Sequence, residues 1–213
     1  MTDAPFPLAG KRVWVAGHRG MVGSALVRRL VSEGCEILTV DRTALDLRRQ
    51  QPVEDWVTAN RPDAIFLAAA KVGGIHANDI APGEFLRDNL AIQTNVVEAA
   101  RRQGVAKLLF LGSVCIYPKM APQPVREDAL LTGPLESTNE AYAVAKIAGL
   151  KLAEAYARQF GDDFFTAMPT NLYGPNDNFD PELSHVIPAM IRRIEDARRD
   201  ELPSVNIWGS GRP

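Results

Sequence analysis

The chain has 213 residues, with 24 Lys and Arg against 26 Asp and Glu and a hydrophobic share of 46%. That is enough apolar material for a sizeable core, and it excludes disordered, collagen-like and coiled-coil classes. A net charge of −2 without a basic block argues against a nucleic-acid partner, and no apolar run approaches the roughly 20 residues that cross a bilayer.

Two cysteines, Cys35 and Cys115, stand far apart in unlike contexts. They suggest neither a disulfide framework nor a metal or redox pair, and point to a reducing cytoplasm. The opening MTDAPFPLAGKR has an Asp and two prolines where a signal peptide would carry a charged and then an apolar stretch, so it reads as a lead-in of about 10 residues. At this length the text holds one complete domain and part of a second.

From Val13 onward apolar runs alternate with helix-period segments. This predicts βαβ units and an α/β fold with a doubly wound parallel sheet of the Rossmann kind. Val13 to Ala16 is the first strand, followed by a helix from Met21 to Ser32 and a second strand from Ile37 to Val40 that ends at Asp41. A helix over 50–59 precedes a third strand, Ala64 to Ala69. A long amphipathic helix from Glu84 to Gln103 precedes the fourth, Lys107 to Leu111. Another from about Glu140 to Phe160 precedes the fifth, Phe164 to Met168. After Pro169 the text turns loop-rich, with one helix from about Val186 to Arg199 and a further strand from Val205 to Trp208. The division expected is a cofactor domain over 11–170 and, from 171 to 213, the beginning of a smaller substrate-binding region that continues beyond this text.

Gly17-His18-Arg19-Gly20-Met21-Val22-Gly23 places three glycines between the first strand and the first helix. Such glycines permit a tight turn, close approach of backbone to a pyrophosphate, and close packing of helix on strand. With Asp41 ending the second strand roughly 20 residues on, the pattern predicts dinucleotide binding. Asp41 suits a ribose 2′-hydroxyl and hence NAD, whereas Arg42 and Arg19 suit a 2′-phosphate. Two guanidiniums against one carboxylate favour NADP.

Tyr142 and Lys146 are spaced i, i+4 near a helix start and so share one face. A neighbouring ammonium is expected to pull a phenol below its usual value near 10, fitting it for proton transfer. Ser113 and Cys115 follow the fourth strand, and an extended backbone there would put both on one side. Ser113 suits a hydrogen bond to a substrate carbonyl. Cys115 is either an acid-base group or a small buried hydrophobe. His18 in the glycine loop reads as structural. His185 opens the last helix, as a pocket-facing or a surface imidazole, and nothing around the three histidines has metal-ligand spacing.

Taken together, these segments resemble the extended short-chain dehydrogenase/reductases, and within them the GDP-L-fucose synthases. The resemblance rests on AGHRGMVGSA at 16–25, AAAKVGGI at 68–75, KLLFLGSVCIYP at 107–118, TNEAYAVAKIAGLKL at 138–152, MPTNLYGPNDNF at 168–179, SHVIPAMIRR at 184–193 and WGSG at 208–211. It implies an NADPH-dependent 3,5-epimerase and 4-reductase acting on a GDP-4-keto-6-deoxy-sugar. A GDP-colitose-forming relative and a non-catalytic dinucleotide-binding module are the alternatives. By the same resemblance Tyr142 and Lys146 are the reductase pair, Ser113 steadies the C4 carbonyl, and Cys115 and His185 are the base and acid that invert C3 and C5. Leu111, Gly112, Lys146, Pro169, Thr170, Asn171, Leu172 and His185 would face the cofactor with the glycine loop. Arg193 and Trp208 would face the GDP part of the substrate, and a homodimer would form through the two long helices.

Overall fold

Strand β1 (Arg12–Ala16) sets the plan of the molecule: Val13, Trp14 and Val15 are wholly buried, so both of its faces are covered. Alternation along the strand divides the core. Val13 and Val15 pack with Leu26, Val27 and Leu30 of α1 (Met21–Leu30). Trp14 and Ala16 pack on the opposite side with Val53 and Val57 of α2 (Gln50–Asn60) and with Val96, Val97 and Ala100 of α4 (Pro82–Arg102). The computed structural model describes residues 5–207.

Five strands form one sheet in the order β2-β1-β3-β4-β5, with every pair parallel. The others are β2 (Glu36–Leu38), β3 (Ala64–Leu67), β4 (Lys107–Leu111) and β5 (Phe164–Ala167). The chain steps outward from β1 to β2, then crosses back to β3 on the other side of β1. That reversal leaves a crevice outside the carboxyl ends of β1 and β3, where open α/β sheets bind their ligands. Gly17, at φ +90, is what lets the two ends meet, since a side chain there would place its Cβ 2.7 Å from the Ala69 nitrogen.

Helix α5 (Glu140–Phe160) lies against α4 and β4. Gln93 on α4 donates a 2.7 Å hydrogen bond to the Ala145 carbonyl, and Gly149 makes the approach possible: a Cβ there would fall 2.5 Å from Phe110 and 2.6 Å from Gln93. The apolar stripe and the buried polar Gln93 together fix which face of α5 looks at the end of β4.

The expected strand-helix alternation is present, with differences that have local causes. Strand β2 stops at Leu38 because it pairs only with Arg12–Trp14 of β1, so Asp41 lies three residues past a strand instead of ending it. A short helix, α3 (Ile75–Ile80), lies between the expected third strand and the long helix, and α4 begins at Pro82, a residue suited to the first helical position. Residues 205–207 are irregular and pair with no strand among the described residues, which corrects the strand expected there; Trp208 lies outside the described residues. Helix α6 (Val186–Arg199) is as expected. No helix among the described residues is long and apolar enough to cross a membrane.

Candidate active site

The glycine turn occupies the crevice. Gly20 donates to the Gly17 carbonyl at 3.1 Å and caps α1 without a side-chain partner, so the first N–H groups of the helix point out of the protein. The three glycines are needed for different reasons. A Cβ on Gly23 would lie 2.1 Å from the Gly17 oxygen, so that glycine serves helix-on-strand packing. A Cβ on Gly20 would meet only the Gly17 oxygen, at 3.5 Å. Nothing in the protein's own packing requires glycine at Gly20; its lack of side chain clears the space in front of the helix N-terminus, as a dinucleotide pyrophosphate needs. Met21 and Val22 are half-buried in the first turn of α1.

Beside the turn, Arg19 donates to Asp41 Oδ2 at 2.7 Å and His18 Nε2 stands 3.4 Å from Oδ1. Oδ1 is buried and accepts no hydrogen bond. Arg42 is exposed. The segment carrying both residues is held by a clamp that composition and motifs do not reveal. Arg48 bonds Asp46 and also Asp88 of α4, and Asn95 donates to the Leu47 carbonyl at 2.9 Å. The hydrogen bonds from Arg48 hold the Asp46 carboxyl down at about 2.

At the end of β4 the backbone turns instead of staying extended. Gly112 hydrogen-bonds the Ala167 carbonyl with Met168 pressed against it, and Ser113 caps a helical turn over Val114–Ile116, accepting from the Cys115 N–H at 3.3 Å. Ser113 and Cys115 are therefore brought together by a side-chain cap, which corrects the expectation of strand alternation. Both are half-buried, and Cys115 is a free thiol.

Tyr142 and Lys146 face this turn from α5. The Lys146 ammonium, 3% exposed, donates to the Leu111 carbonyl at 2.7 Å and lies 4.8 Å from the Phe110 ring centre and 5.7 Å from that of Tyr142. Burial lowers Lys146 to about 8. Burial lifts the Tyr142 phenol to about 12; charge on Cys115 adds to the rise, and a hydrogen bond with Ser113 offsets part of it. The expected depression by lysine is thus reversed, because desolvation outweighs an ammonium already committed to a carbonyl. The phenol is consequently protonated through the neutral range.

Phe85 meets Tyr142 edge-on at 6.4 Å, and Lys71 lies 5.3 Å from the Phe85 ring centre. Asn89 bonds both the N–H and the carbonyl of Lys71. The signal for this support was available: Asn89 and Gln93 are polar residues on the apolar stripe of α4.

After β5 the chain passes Pro169, half-buried, and Thr170, Asn171 and Leu172, all exposed, then reaches back so that Asn176 donates to Ser24 of α1 at 3.0 Å. His185 is exposed at the start of α6, and its position is set through backbone: Gly74 donates to the Leu183 carbonyl at 2.8 Å. The structure thus unites Ser113, Cys115, Tyr142 and Lys146, and sets the segment bearing His185 against the loop after β3. Arg193 of α6 donates to the Pro181 carbonyl.

The sequence pattern of the NAD dependent epimerase/dehydratase family matches residues 13–213. The chain is 59% identical over 206 residues to a GDP-L-fucose synthase of Sinorhizobium fredii, covering 97% of this chain and 66% of that relative. It is 41% identical to a GDP-L-colitose synthase of Yersinia pseudotuberculosis, over 94% of this chain and 65% of the relative. A solved GDP-L-fucose synthetase of Naegleria fowleri bound to NADP superimposes with a TM-score of 0.87 at 29% identity, over 100% of this chain and 70% of that one. The chain therefore spans about two thirds of the length of the curated relatives. Because the family pattern runs through every element that builds the crevice and the β4 turn, the chain belongs to the NAD dependent epimerase/dehydratase family.

Proposed function

We propose that this chain carries the cofactor-binding and acid-base half of a cytoplasmic, NADPH-dependent 3,5-epimerase and 4-reductase that converts GDP-4-keto-6-deoxy-D-mannose to GDP-L-fucose. The observation that carries this reading is the meeting of Ser113, Cys115, Tyr142 and Lys146 beyond the carboxyl end of β4, in a sheet whose β1 end bears the uncapped glycine turn. The 59% identity to a GDP-L-fucose synthase, against 41% to a GDP-L-colitose synthase, favours the 6-deoxy over the dideoxy sugar.

Residues 11–170 form the cofactor domain, and 171–213 begin the substrate-binding region, to which Arg193 and Trp208 contribute. The glycine loop from Gly17 to Gly23 holds the pyrophosphate, Asp41 and Arg42 meet the adenosine ribose, and Leu111, Gly112, Lys146, Pro169, Thr170, Asn171, Leu172 and His185 line the nicotinamide end. When bound, NADPH supplies hydride to C4 of the sugar.

The chain's own groups do the rest. A C4 ketone acidifies the protons on C3 and C5, so Cys115 removes a proton from one face of the ring and His185 returns one to the other, inverting each centre through an enolate of the sugar. Ser113 donates a hydrogen bond to the C4 oxygen. Tyr142, protonated at neutral pH, delivers its proton to that oxygen as C4 is reduced, and the Lys146 ammonium offsets the phenolate left behind. Inversion must precede reduction because reduction removes the activating carbonyl.

Consumption of NADPH by the purified full-length protein with GDP-4-keto-6-deoxy-D-mannose tests the reading, and absence of turnover overturns it. In deuterated water Cys115→Ser should lose deuterium incorporation at C3 and C5, whereas Tyr142→Phe should retain it and lose hydride transfer by about 10²–10⁴-fold. Equal loss of both steps in both variants defeats the assignment of roles. Assembly as a homodimer through α4 and α5 is part of the proposal; Leu86 and Leu90 are half-buried on α4 and Val144 is exposed on α5. Leu90→Asp should shift sedimentation from dimer to monomer.

A further inference from the structure

We infer, on the acid-base reading above, that Phe110 is a positioning residue for the reductive step: the face of its ring holds the buried Lys146 ammonium in place beside Tyr142. Phe110 does this from inside the core, at 1% exposed.

A buried ammonium is costly unless something replaces the water it has lost. Lys146 has three N–H donors, yet among the described residues its one hydrogen bond is to the Leu111 carbonyl and no carboxylate pairs with it. The titratable groups on this side are Tyr142, on the same helix, and Cys115, in the turn after β4, whose charge acts on Tyr142. Neither is a resident counter-ion at neutral pH. The group that stands over the ammonium is the Phe110 ring, its centre 4.8 Å from Nζ against 5.7 Å for Tyr142. That is inside the range of about 6 Å over which the negative face of a ring attracts a cation, an attraction that is strongest where water is excluded.

The ring is built into this position. Phe110 and Leu111 are consecutive on β4, so one strand end supplies both the ring and the carbonyl that Lys146 meets. The tip of the ring points at Gly149, where a Cβ would fall 2.5 Å from Phe110 Cζ and 2.6 Å from the Gln93 side-chain oxygen. Gly149 lies three residues after Lys146 and so shares its helix face. A side chain there would push the ring off the ammonium. From α4 the uncharged Gln93 closes the seat and ties it to α5 through the Ala145 carbonyl.

The test replaces Phe110 in the full-length protein with 3-fluoro- and 3,5-difluoro-phenylalanine, which drain charge from the ring face and leave its tip against Gly149 unchanged, and with leucine, which removes the face. Lys146 is followed through the carbon-13 shift of its ε-carbon, assigned with Lys146→Met. Its titration midpoint should fall by about one unit in Phe110→Leu, and by progressively larger fractions of that with one and two fluorines. Hydride transfer to GDP-4-keto-6-deoxy-D-mannose should fall about fivefold in Phe110→Leu at about pH 8 and by less than about twofold at about pH 6, as the charged fraction of Lys146 does. Deuterium incorporation at C3 and C5 should stay within about twofold at both. A midpoint that fluorination leaves within about 0.2 unit, or an equal loss of hydride transfer and deuterium incorporation at both pH values, overturns the inference. If Phe110→Leu does not fold, the fluorinated rings decide the matter alone. Absence of turnover in the wild type would overturn the proposed reaction instead, and the Lys146 titration would still report on the ring.

Discussion

In the sheet, Trp14, Ile65, Leu67, Leu108 and Phe110 are each at most 1% exposed, whereas on α6 Val186, Ile187, Ile191 and Ile194 are between 46% and 67% exposed. Both regions carry large apolar side chains, and their energetics differ. Sheet residues have helices on both faces, so each fully buried large side chain contributes about 1.5–3 kcal/mol. Past Pro169 the chain is placed by a few polar ties, Asn176 to Ser24, Gly74 to Leu183 and Arg193 to Pro181, and only Pro188 and Ala197 of α6 are buried. The proposed acid-base groups Ser113, Cys115, Tyr142 and Lys146 sit in the first region; the proposed partner His185 sits in the second.

Five substitutions probe that contrast, in falling order of effect. Phe110→Ala, under Gly149 and beside Lys146, should cost about 3–5 kcal/mol in urea unfolding. A loss below about 1 kcal/mol would mean that the sheet region is no better packed than α6.

Lys146 offers a pH readout. Its folded pKa, about 8, lies below the ordinary 10.5, so the unfolded chain binds the proton more tightly between those values. The burial penalty is therefore full below pH 8 and disappears as pH rises to about 10.5. Wild-type stability should rise relative to Lys146→Met by about 3 kcal/mol over that window. A difference that does not change with pH would place the ammonium in water.

Gly74→Ala should loosen the second region alone, since its Cβ would fall 2.2 Å from the Ser184 oxygen. Amide exchange in α6 should accelerate by about 10-fold or more while β1, β3 and β4 keep their protection. Uniform acceleration would instead join the two regions into one unit. Ile191→Lys and Ile194→Lys should each change stability by no more than about 0.5 kcal/mol. A cost of about 2 kcal/mol would show that this face of α6 is covered in solution.

Much of this was legible in the residues. Val13 to Ala16 had to be a strand buried on both faces, the three glycines had to form a turn into a helix, and Tyr142 and Lys146 had to share a helix face. Each is a local rule of period or backbone freedom. What was not legible depended on partners distant in the chain. The shortened β2 follows from where β1 stops pairing, and the meeting of Ser113 with Cys115 follows from a cap rather than a strand. The clamp of Arg48 on Asp88 and the pairing of Arg19 with Asp41 join residues 40 and 22 apart.

The sequence by itself therefore determined the α/β class, the crevice at the end of β1 and the residue types available for proton transfer, because periodicity and glycine placement act over a few residues. Tertiary structure alone decided the charge state of that chemistry. Burial against α4 and β4 keeps the Tyr142 phenol protonated and weakens Lys146 as a cation, and an ion pair beside the glycine turn decides how free Arg19 is to meet a ligand. Desolvation and pairing depend on what the fold brings near, and neighbours in space are not neighbours in the chain.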